Sequence, residues 1–170
     1  MSSYVKRAKK FLEQVYPYIK DCEDEWDLDN ALRKFNQDYH RKVQTCSGST
    51  RVVMITSDYV IKYDYDGWGK DTWGTCKDEV RMYRKAKRDG YAHLFAKITP
   101  VRANYNKTFY IMPRINGIRR REEDALDFLD GDEFVYMYEN VNDFHNGNYG
   151  WKNKHIVMID YASNSTMWGR

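Results

Sequence analysis

The sequence predicts an α+β fold in which two helices precede a mostly antiparallel sheet and further helices follow it. Residues 4–20 and 26–39 place apolar side chains at helical spacing. Residues 51–56 and 59–64 are rich in β-branched side chains and are separated by only two residues, as in paired strands. Because these strands are followed by helical patterns, we expect an α+β arrangement in which the sheet precedes the later helices along the chain.

The first predicted helix is amphipathic. Its apolar side consists of Tyr4, Val5, Ala8, Phe11, Leu12, Val15 and Tyr16, and four basic residues, Lys6, Arg7, Lys9 and Lys10, lie opposite. A basic amphipathic helix can bind a membrane surface or a partner, but the same pattern more often packs on its own domain, as we expect here. After the second helix, the small polar residues 45–50 predict a turn.

The later elements are predicted from capping residues and apolar runs. A helix is expected from a Thr75 cap to Arg88, and Gly90 ends it. Residues 94–101 and 107–112 predict two further strands. The remaining predicted elements are a charged helix near 121–129, a helix or extended stretch over 133–141, and a last apolar strand over 155–160.

Composition excludes several classes of protein. The 170 residues are 42% hydrophobic and 31% charged, which is typical of a folded soluble domain. No apolar run approaches the roughly 20 residues that span a bilayer, and no signal peptide opens the chain. The net charge of +3 is small, and Glu122-Glu123-Asp124 follows Arg119-Arg120-Arg121, so nucleic acid is an unlikely partner. The widely spaced Cys22, Cys46 and Cys76 predict reduced thiols in a cytoplasmic protein.

The segment from Asn142 to Gly150 carries the most informative chemistry. Asp143 and Asn148 lie five residues apart in a predicted loop, and Asp160 ends an apolar strand twelve residues after Asn148. Two carboxylates and an amide oxygen are hard ligands of the kind that Mg²⁺ prefers, completed by phosphate and water. The alternative is structural, because Asp, Asn and Gly are also ordinary turn residues.

These segments resemble the catalytic loop and the DFG segment of the protein-kinase-like superfamily. The likeness is closest to its aminoglycoside-kinase-like and small bacterial or phage-encoded branches, which write the loop as D-x-H-x-G-N. That pattern is matched by Asp143, His145, Gly147 and Asn148, and Asp160 begins the segment that stands where DFG would stand. The resemblance implies an antiparallel-sheet N-lobe with one main helix and a hinge over 44–116, and a truncated C-lobe over 117–170. It does not explain the predicted helical extension over 1–43.

The resemblance also implies roles for residues upstream. Val60-Ile61-Lys62 is similar to the strand that ends V-A-I-K, so Lys62 would bind the α/β-phosphates and Glu79 would hold that lysine in an ion pair. In the hinge, the implied nucleotide-binding positions are Met112 as gatekeeper, the Pro113 carbonyl and the Ile115 N–H. In the reduced glycine-rich loop they are Gly48 and Ser49. The alternative is that Lys62 is a solvated strand lysine and that Glu79 pairs with Arg81 or Lys85 on a helix surface.

The function implied is phosphoryl transfer from ATP with Mg²⁺, to a protein or small-molecule acceptor that the sequence does not identify. Asn148 and Asp160 would hold the metal, and Asp143 would orient and deprotonate the acceptor hydroxyl. The reduced glycine-rich loop at Gly48 and Ser49 lacks G-x-G-x-x-G, and Val141 replaces the His that usually stands two residues before the catalytic Asp. Ala162 replaces the DFG glycine, and the chain ends soon after Asp160. The missing substrate helices, the many aromatic residues and the basic N-terminal helix favour an alternative, a pseudokinase-like interaction protein, phage-encoded and acting on a host protein in the host cytoplasm. Apolar surface left by a truncated C-lobe would favour a homodimer.

Overall fold

The computed structural model describes residues 3–22, 25–47, 51–64, 75–102, 107–115, 127–141, 147–153 and 155–161. The chain divides into two compact units, the first made of Met1–Asp66 with Thr99–Arg114 and the second of Gly67–Ile98 with Ile115–Arg170. Helices and antiparallel strands occur together, so the predicted α+β class is confirmed.

The first unit combines two helices with a sheet. Its elements are α1 (Ser3–Ile19), α2 (Glu25–Tyr39), β1 (Gln44–Ser47), β2 (Arg51–Ile55), β3 (Tyr59–Asp64), β4 (Thr99–Arg102) and β5 (Thr108–Pro113). Among the described residues the strands form one sheet in the order β1-β2-β3-β5-β4, and every neighbouring pair is antiparallel. The predicted antiparallel sheet is therefore present.

The core of the first unit lies between the two helices and one face of this sheet. Helix α1 packs on β3 and β5, and α2 packs on β1. The buried side chains of α1 are Val5, Ala8, Phe11, Leu12, Val15 and Ile19. The ring edge of Phe11 meets Phe35 of α2 at a centroid distance of 5.4 Å, a favoured aromatic geometry. The prediction that the apolar stripe of α1 packs on its own domain is confirmed.

The second unit contains shorter elements. They are α3 (Cys76–Asp89), a 3₁₀ turn (Ala92–Leu94), α4 (Gly131–Asn140), β6 (Tyr149–Lys152) and β7 (His155–Met158). Helix α3 begins as predicted, with the Asp78 carboxylate accepting hydrogen bonds from the Thr75 N–H at 3.0 Å and hydroxyl at 2.9 Å. It ends as predicted at Gly90, whose φ of 92° is the left-handed conformation that glycine adopts most readily.

Several predicted elements differ in the structure. Residues 45–47 of the predicted turn belong, together with Gln44, to strand β1, because pairing with β2 supplies the hydrogen bonds of a polar strand. The predicted strand over 94–101 is a 3₁₀ turn followed by β4, because only residues 99–102 pair with β5. The last strand ends at Met158 and pairs with β6, an element that was not predicted. The charged helix near 121–129 falls largely outside the described residues.

Within the part of the chain that the structure describes, no helix is both long enough and apolar enough to cross a bilayer.

Candidate functional site

The structure describes seven of the predicted site residues and leaves three outside the described ranges. Those described are Lys62, Glu79, Met112, Pro113, Ile115, Asn148 and Asp160. Gly48, Ser49 and Asp143 lie outside the described residues. Lys62, Met112 and Pro113 belong to the first unit and the other four to the second, so the two groups are described separately.

In the first unit, Lys62 and Met112 lie on the same face of the sheet. Side chains alternate between the two faces of a strand, and Ile61 and Tyr63 belong to the core that the helices cover. Lys62 therefore lies on the opposite face, where it pairs in register with Tyr110, and Met112 pairs with Val60. Lys62 is only 4% exposed, so the alternative of a solvated strand lysine is wrong.

The predicted hinge begins at the end of β5, where the chain is held to the β2–β3 turn. Pro113 pairs with Tyr59 at the last register position of the strand. The N–H of Arg114 donates to the Asp58 carbonyl at 3.0 Å, and its guanidinium donates to the Thr56 carbonyl at 2.8 Å. Because proline has no N–H, residue 113 can only accept a hydrogen bond through its carbonyl, as its predicted role requires.

In the second unit, the β6–β7 hairpin brings Asn148 and Asp160 together. Tyr149 pairs with Met158 at the open end of the hairpin, with Asn148 immediately before the first strand and Asp160 shortly after the second. The Asn148 carbonyl accepts hydrogen bonds from the Ile159 N–H at 2.7 Å and from the Asp160 N–H at 3.1 Å. The two residues predicted to hold a metal are thus joined directly through their backbones.

Glu79 is hydrogen-bonded to the residue that directly follows Asp160. It is fully buried, and its Oε1 accepts a hydrogen bond from the Tyr161 N–H at 3.3 Å. The alternative of a surface pair with Arg81 or Lys85 is wrong, because Glu79 is not on the helix surface. Those two cations instead bind Asp78 at 3.1 Å and Asp89 at 2.8 Å.

Tyr161 is a positioning residue that was not predicted. Its hydroxyl donates to the Ala96 carbonyl at 2.6 Å, and its ring meets Phe95 edge-on at a centroid distance of 5.1 Å. The neighbouring Ala96 N–H donates to the Met158 carbonyl at 2.8 Å, so the same segment also holds the end of β7. The only sequence signal for this role is an aromatic residue directly after Asp160, at the end of an apolar strand.

A second set of contacts ties α3, which carries Glu79, to α4. The Tyr136 hydroxyl donates to Asp89 at 2.9 Å, and the Lys85 ammonium donates to the same carboxylate oxygen at 2.8 Å. These two hydrogen bonds hold the pKa of Asp89 below its usual value, whereas burial and the bond to Asp89 raise the pKa of Tyr136. Tyr91 stacks on Tyr136 at 4.1 Å between ring centroids. The helix behind Glu79 is therefore held by both polar and aromatic contacts.

The fit of a metal ion rests on the donor atoms of Asn148 and Asp160. In the described part of the chain, no group of three or more His, Cys, Asp and Glu side chains is placed to hold a metal. An amide oxygen and a carboxylate are nevertheless hard donors, and Mg²⁺ in nucleotide sites is commonly held by one or two protein ligands together with phosphate and water. The two residues fit that mode of binding rather than an all-protein cage.

Comparison with known proteins gives structural neighbours only. No protein-family model and no curated protein sequence matches the chain. One similar solved structure is the Legionella pneumophila Lpg2603 kinase bound to IP6, with 12% identity and a TM-score of 0.43. The match covers 76% of this chain and 62% of that one, so the chain spans less than two thirds of its length. Another is APH(2″)-IIa in a ternary complex with streptomycin and ATP, with 16% identity, a TM-score of 0.36 and coverage of 77% and 70%. Both likenesses are distant and concern the fold alone.

Proposed function

We propose that this protein is a kinase-like phosphotransferase that uses ATP and Mg²⁺. The observation that carries the proposal is the pair of hydrogen bonds by which the Asn148 carbonyl holds the backbone N–H groups of Ile159 and Asp160. These bonds join the backbones of an asparagine and an aspartate at one end of a hairpin. Those are the two donors that the D-x-H-x-G-N and DFG-like patterns assign to the metal.

Lys62 would bind the phosphates of the nucleotide. Its position on the face of the sheet away from the helices, next to Tyr110 and on the same face as Met112, supports this role. A buried ammonium group is stable only beside anionic or hydrogen-bonding groups, and phosphate oxygens satisfy both needs. Met112, the Pro113 carbonyl and the Ile115 N–H would then contact the adenine ring, and Gly48 and Ser49 would lie near the phosphates.

Glu79 and Asp143 complete the proposed set. Glu79 holds the segment that follows Asp160 through the Tyr161 N–H, and it is the proposed partner of Lys62. Asp143 would orient an acceptor hydroxyl and accept its proton. Mg²⁺, when bound, would neutralise charge on the transferred phosphoryl group. Asn148 and Asp160 would hold it, and the acceptor would be a protein or a small molecule.

A second candidate function is that of a kinase-like interaction protein that binds nucleotide without turnover. It is favoured by the surface of α4, which exposes Phe134, Val135 and Tyr138, the last at 79%. Exposed aromatic side chains are enriched where proteins bind other proteins. A phage-encoded protein of this kind would act on a host protein in the host cytoplasm, and a homodimer would cover the same surface.

Thermal unfolding with ATP, with and without Mg²⁺, tests the nucleotide site. Ligand at 100 times its Kd adds about 2.7 kcal/mol of stability, which corresponds to roughly 5–11 °C at this chain length. We expect this shift for the wild type with Mg²⁺, and its loss with EDTA. No shift at millimolar MgATP would contradict the nucleotide site altogether.

Turnover separates the two candidate functions. The Asp143→Asn variant should keep the MgATP-dependent shift and lose ATP consumption, measured as release of labelled phosphate or transfer to an acceptor. If the wild type binds MgATP but consumes ATP no faster than the Asp143→Asn variant does, the protein is better described as a kinase-like interaction protein.

A further inference from the structure

A cleft of about 370 Å³ opens in the first unit, and none of the predicted site residues lines it. Its three walls are one side of α1, the segment that follows α2, and the β2–β3 turn. The lining residues are Arg7, Lys10, Phe11, Gln14, Arg41, Lys42, Val43, Thr56, Ser57, Asp58 and Tyr59. This volume is within the range of about 300–1,000 Å³ that is typical of small-molecule sites. We refer to it as the basic cleft.

The lining of the basic cleft is strongly cationic. It includes Arg7, Lys10, Arg41 and Lys42, and its one acidic residue is Asp58, which binds Arg7 at 2.9 Å. Four cations and one carboxylate give a net charge of +3, equal to that of the whole 170-residue chain. Because like charges in a concave surface reinforce one another, the basic cleft attracts anions more strongly than the average surface does.

The wall that carries Arg41 and Lys42 is held in place by Asn36. The Asn36 side chain donates to the Val43 carbonyl at 3.0 Å and accepts from the Val43 N–H at 2.9 Å. The Asn36 carbonyl accepts from the Arg41 N–H at 3.0 Å, and His40 takes the left-handed conformation with a φ of 49°. The two cations are therefore presented by a fixed turn, so less ordering is needed when a ligand binds.

The opposite wall, the β2–β3 turn, is fixed in a similar way. The Thr56 hydroxyl donates to the Tyr59 carbonyl at 2.8 Å and accepts from the Tyr59 N–H at 3.2 Å. Arg114 binds the Thr56 and Asp58 carbonyls from the end of β5. The cleft thus has two preformed walls on either side of the cationic face of α1.

The base of the cleft is apolar, because Phe11, Val43 and Tyr59 are buried there. Burial raises the pKa of Tyr59, and the guanidinium groups of Arg41 and Arg7 act in the opposite direction. Both cations therefore act on the same hydroxyl from two different walls. A compact ligand with anionic groups at its periphery and an organic body against this base matches the lining.

We propose that the basic cleft binds a small molecule that carries two or more phosphate groups. Several cations on separate walls favour a multiply charged ligand over a single anion, since each phosphate then meets its own guanidinium or ammonium group. A membrane surface is a poorer match, because the apolar side of α1 is buried in the core and cannot insert among lipid tails.

Titration calorimetry with inorganic tripolyphosphate and with inorganic phosphate tests the proposal. We expect tripolyphosphate to bind at least tenfold more tightly than phosphate. The Arg41→Gln/Lys42→Gln variant should weaken tripolyphosphate binding at least tenfold. The matched control is Arg33→Gln/Lys34→Gln, which removes the same two residue types from exposed positions of α2 outside the cleft and should leave the Kd within about twofold. All four side chains are exposed, so both variants should unfold at the wild-type temperature.

The test distinguishes the basic cleft from the proposed nucleotide site. Lys62→Ala should leave tripolyphosphate binding in the cleft intact while it weakens MgATP, and Arg41→Gln/Lys42→Gln should do the reverse. Equal weakening by the α2 control would show diffuse attraction and overturn the proposal. Undetectable binding of tripolyphosphate at millimolar concentration, or binding that depends on Lys62 alone, would also overturn it, whatever the result of the nucleotide experiments.

Discussion

The two units of this protein bury very different groups. Among the described residues, the core between the helices and the sheet of the first unit is made of apolar side chains, and the one buried charge in that unit, Lys62, lies on the other face of the sheet. The described part of the second unit buries Asp78, Glu79, Asn140 and Asn148. Burying polar groups is unfavourable unless each is hydrogen-bonded, so the second unit requires specific polar contacts in addition to the apolar packing that both units share.

Several of the buried polar groups of the second unit take part in side-chain hydrogen bonds. Asn140, for example, donates to the Tyr136 carbonyl at 2.8 Å, and Tyr161 binds both Glu79 and Ala96. We therefore expect stability to be most sensitive to substitutions in the apolar core of the first unit, and nucleotide binding to be sensitive to the proposed metal ligands of the second. Substitutions in the two units should therefore have different consequences.

The largest expected effect on stability is in the first unit. Phe35 is fully buried, meets Phe11 edge-on and stacks on Tyr39 at 4.8 Å. Phe35→Ala should lower the free energy of unfolding by about 3–5 kcal/mol, because it leaves a cavity in the apolar core. Urea denaturation followed by circular dichroism measures the loss. Phe35→Leu is the matched control and should lose much less; an equal loss would mean that volume is not what the site requires.

The next effect concerns binding rather than stability. Asp160→Asn keeps the backbone hydrogen bond to Asn148 but removes one proposed charged metal ligand. We expect the Kd for MgATP to rise at least 100-fold, about 2.7 kcal/mol, with a change of less than about 0.5 kcal/mol in the free energy of unfolding. Asp132→Asn, at an exposed position in the first turn of α4, is the control. Unchanged MgATP affinity in Asp160→Asn would remove the metal role of this residue.

Local patterns predicted the first unit better than the second. The stripe of α1 and the β-branched runs of β2 and β3 are periodic signals that a sequence displays directly. Strand β1 was missed because its residues are polar and their pairing with β2 is decided by the fold. In the same way β6 was missed, since its four residues become a strand only by pairing with β7.

The candidate site shows the same limit. Lys62, Asn148 and Asp160 could be named because their neighbours match a family pattern, and their roles stay predictions. The bond from Tyr161 to Glu79 joins residues 82 positions apart, so no local pattern predicts it. The basic cleft was missed for a similar reason, because its cations come from α1 and from the segment after α2.

A smaller effect is expected from the hydroxyl of Tyr161. Tyr161→Phe leaves the ring against Phe95 but removes the donor to the Ala96 carbonyl at 2.6 Å. The loss of one buried hydrogen bond should lower the free energy of unfolding by about 1–2 kcal/mol. It should also weaken MgATP binding severalfold, because Asp160 is then held less firmly. Tyr138→Phe, whose hydroxyl is exposed, is the control; an equal loss there would show that the buried bond contributes nothing specific.

The smallest effect is expected at the contact between α3 and α4, and it should depend on pH. Tyr136→Phe removes the hydrogen bond to Asp89 and should lower the free energy of unfolding by about 1 kcal/mol near neutral pH. The pKa of Asp89 is lowered in the folded protein, so its contribution is present above the unfolded value of 3.8 and is lost as the pH falls through the folded value. The pKa of Tyr136 is raised, so its contribution is present below 10.0 and is lost as the pH rises through the folded value.

The stability difference between wild type and Tyr136→Phe should therefore be largest at pH values between those at which Asp89 and Tyr136 titrate. It should shrink at more acid and at more alkaline pH. Urea denaturation across the pH range in which the protein remains folded measures it. The stability difference between wild type and Lys85→Met, which removes the other donor to Asp89, should shrink in the same way at acid pH. A difference that stays constant with pH would mean that Asp89 and Tyr136 do not interact as the structure shows, and the described polar contacts of the second unit would then be those of Asp78, Glu79, Asn140, Asn148 and Tyr161.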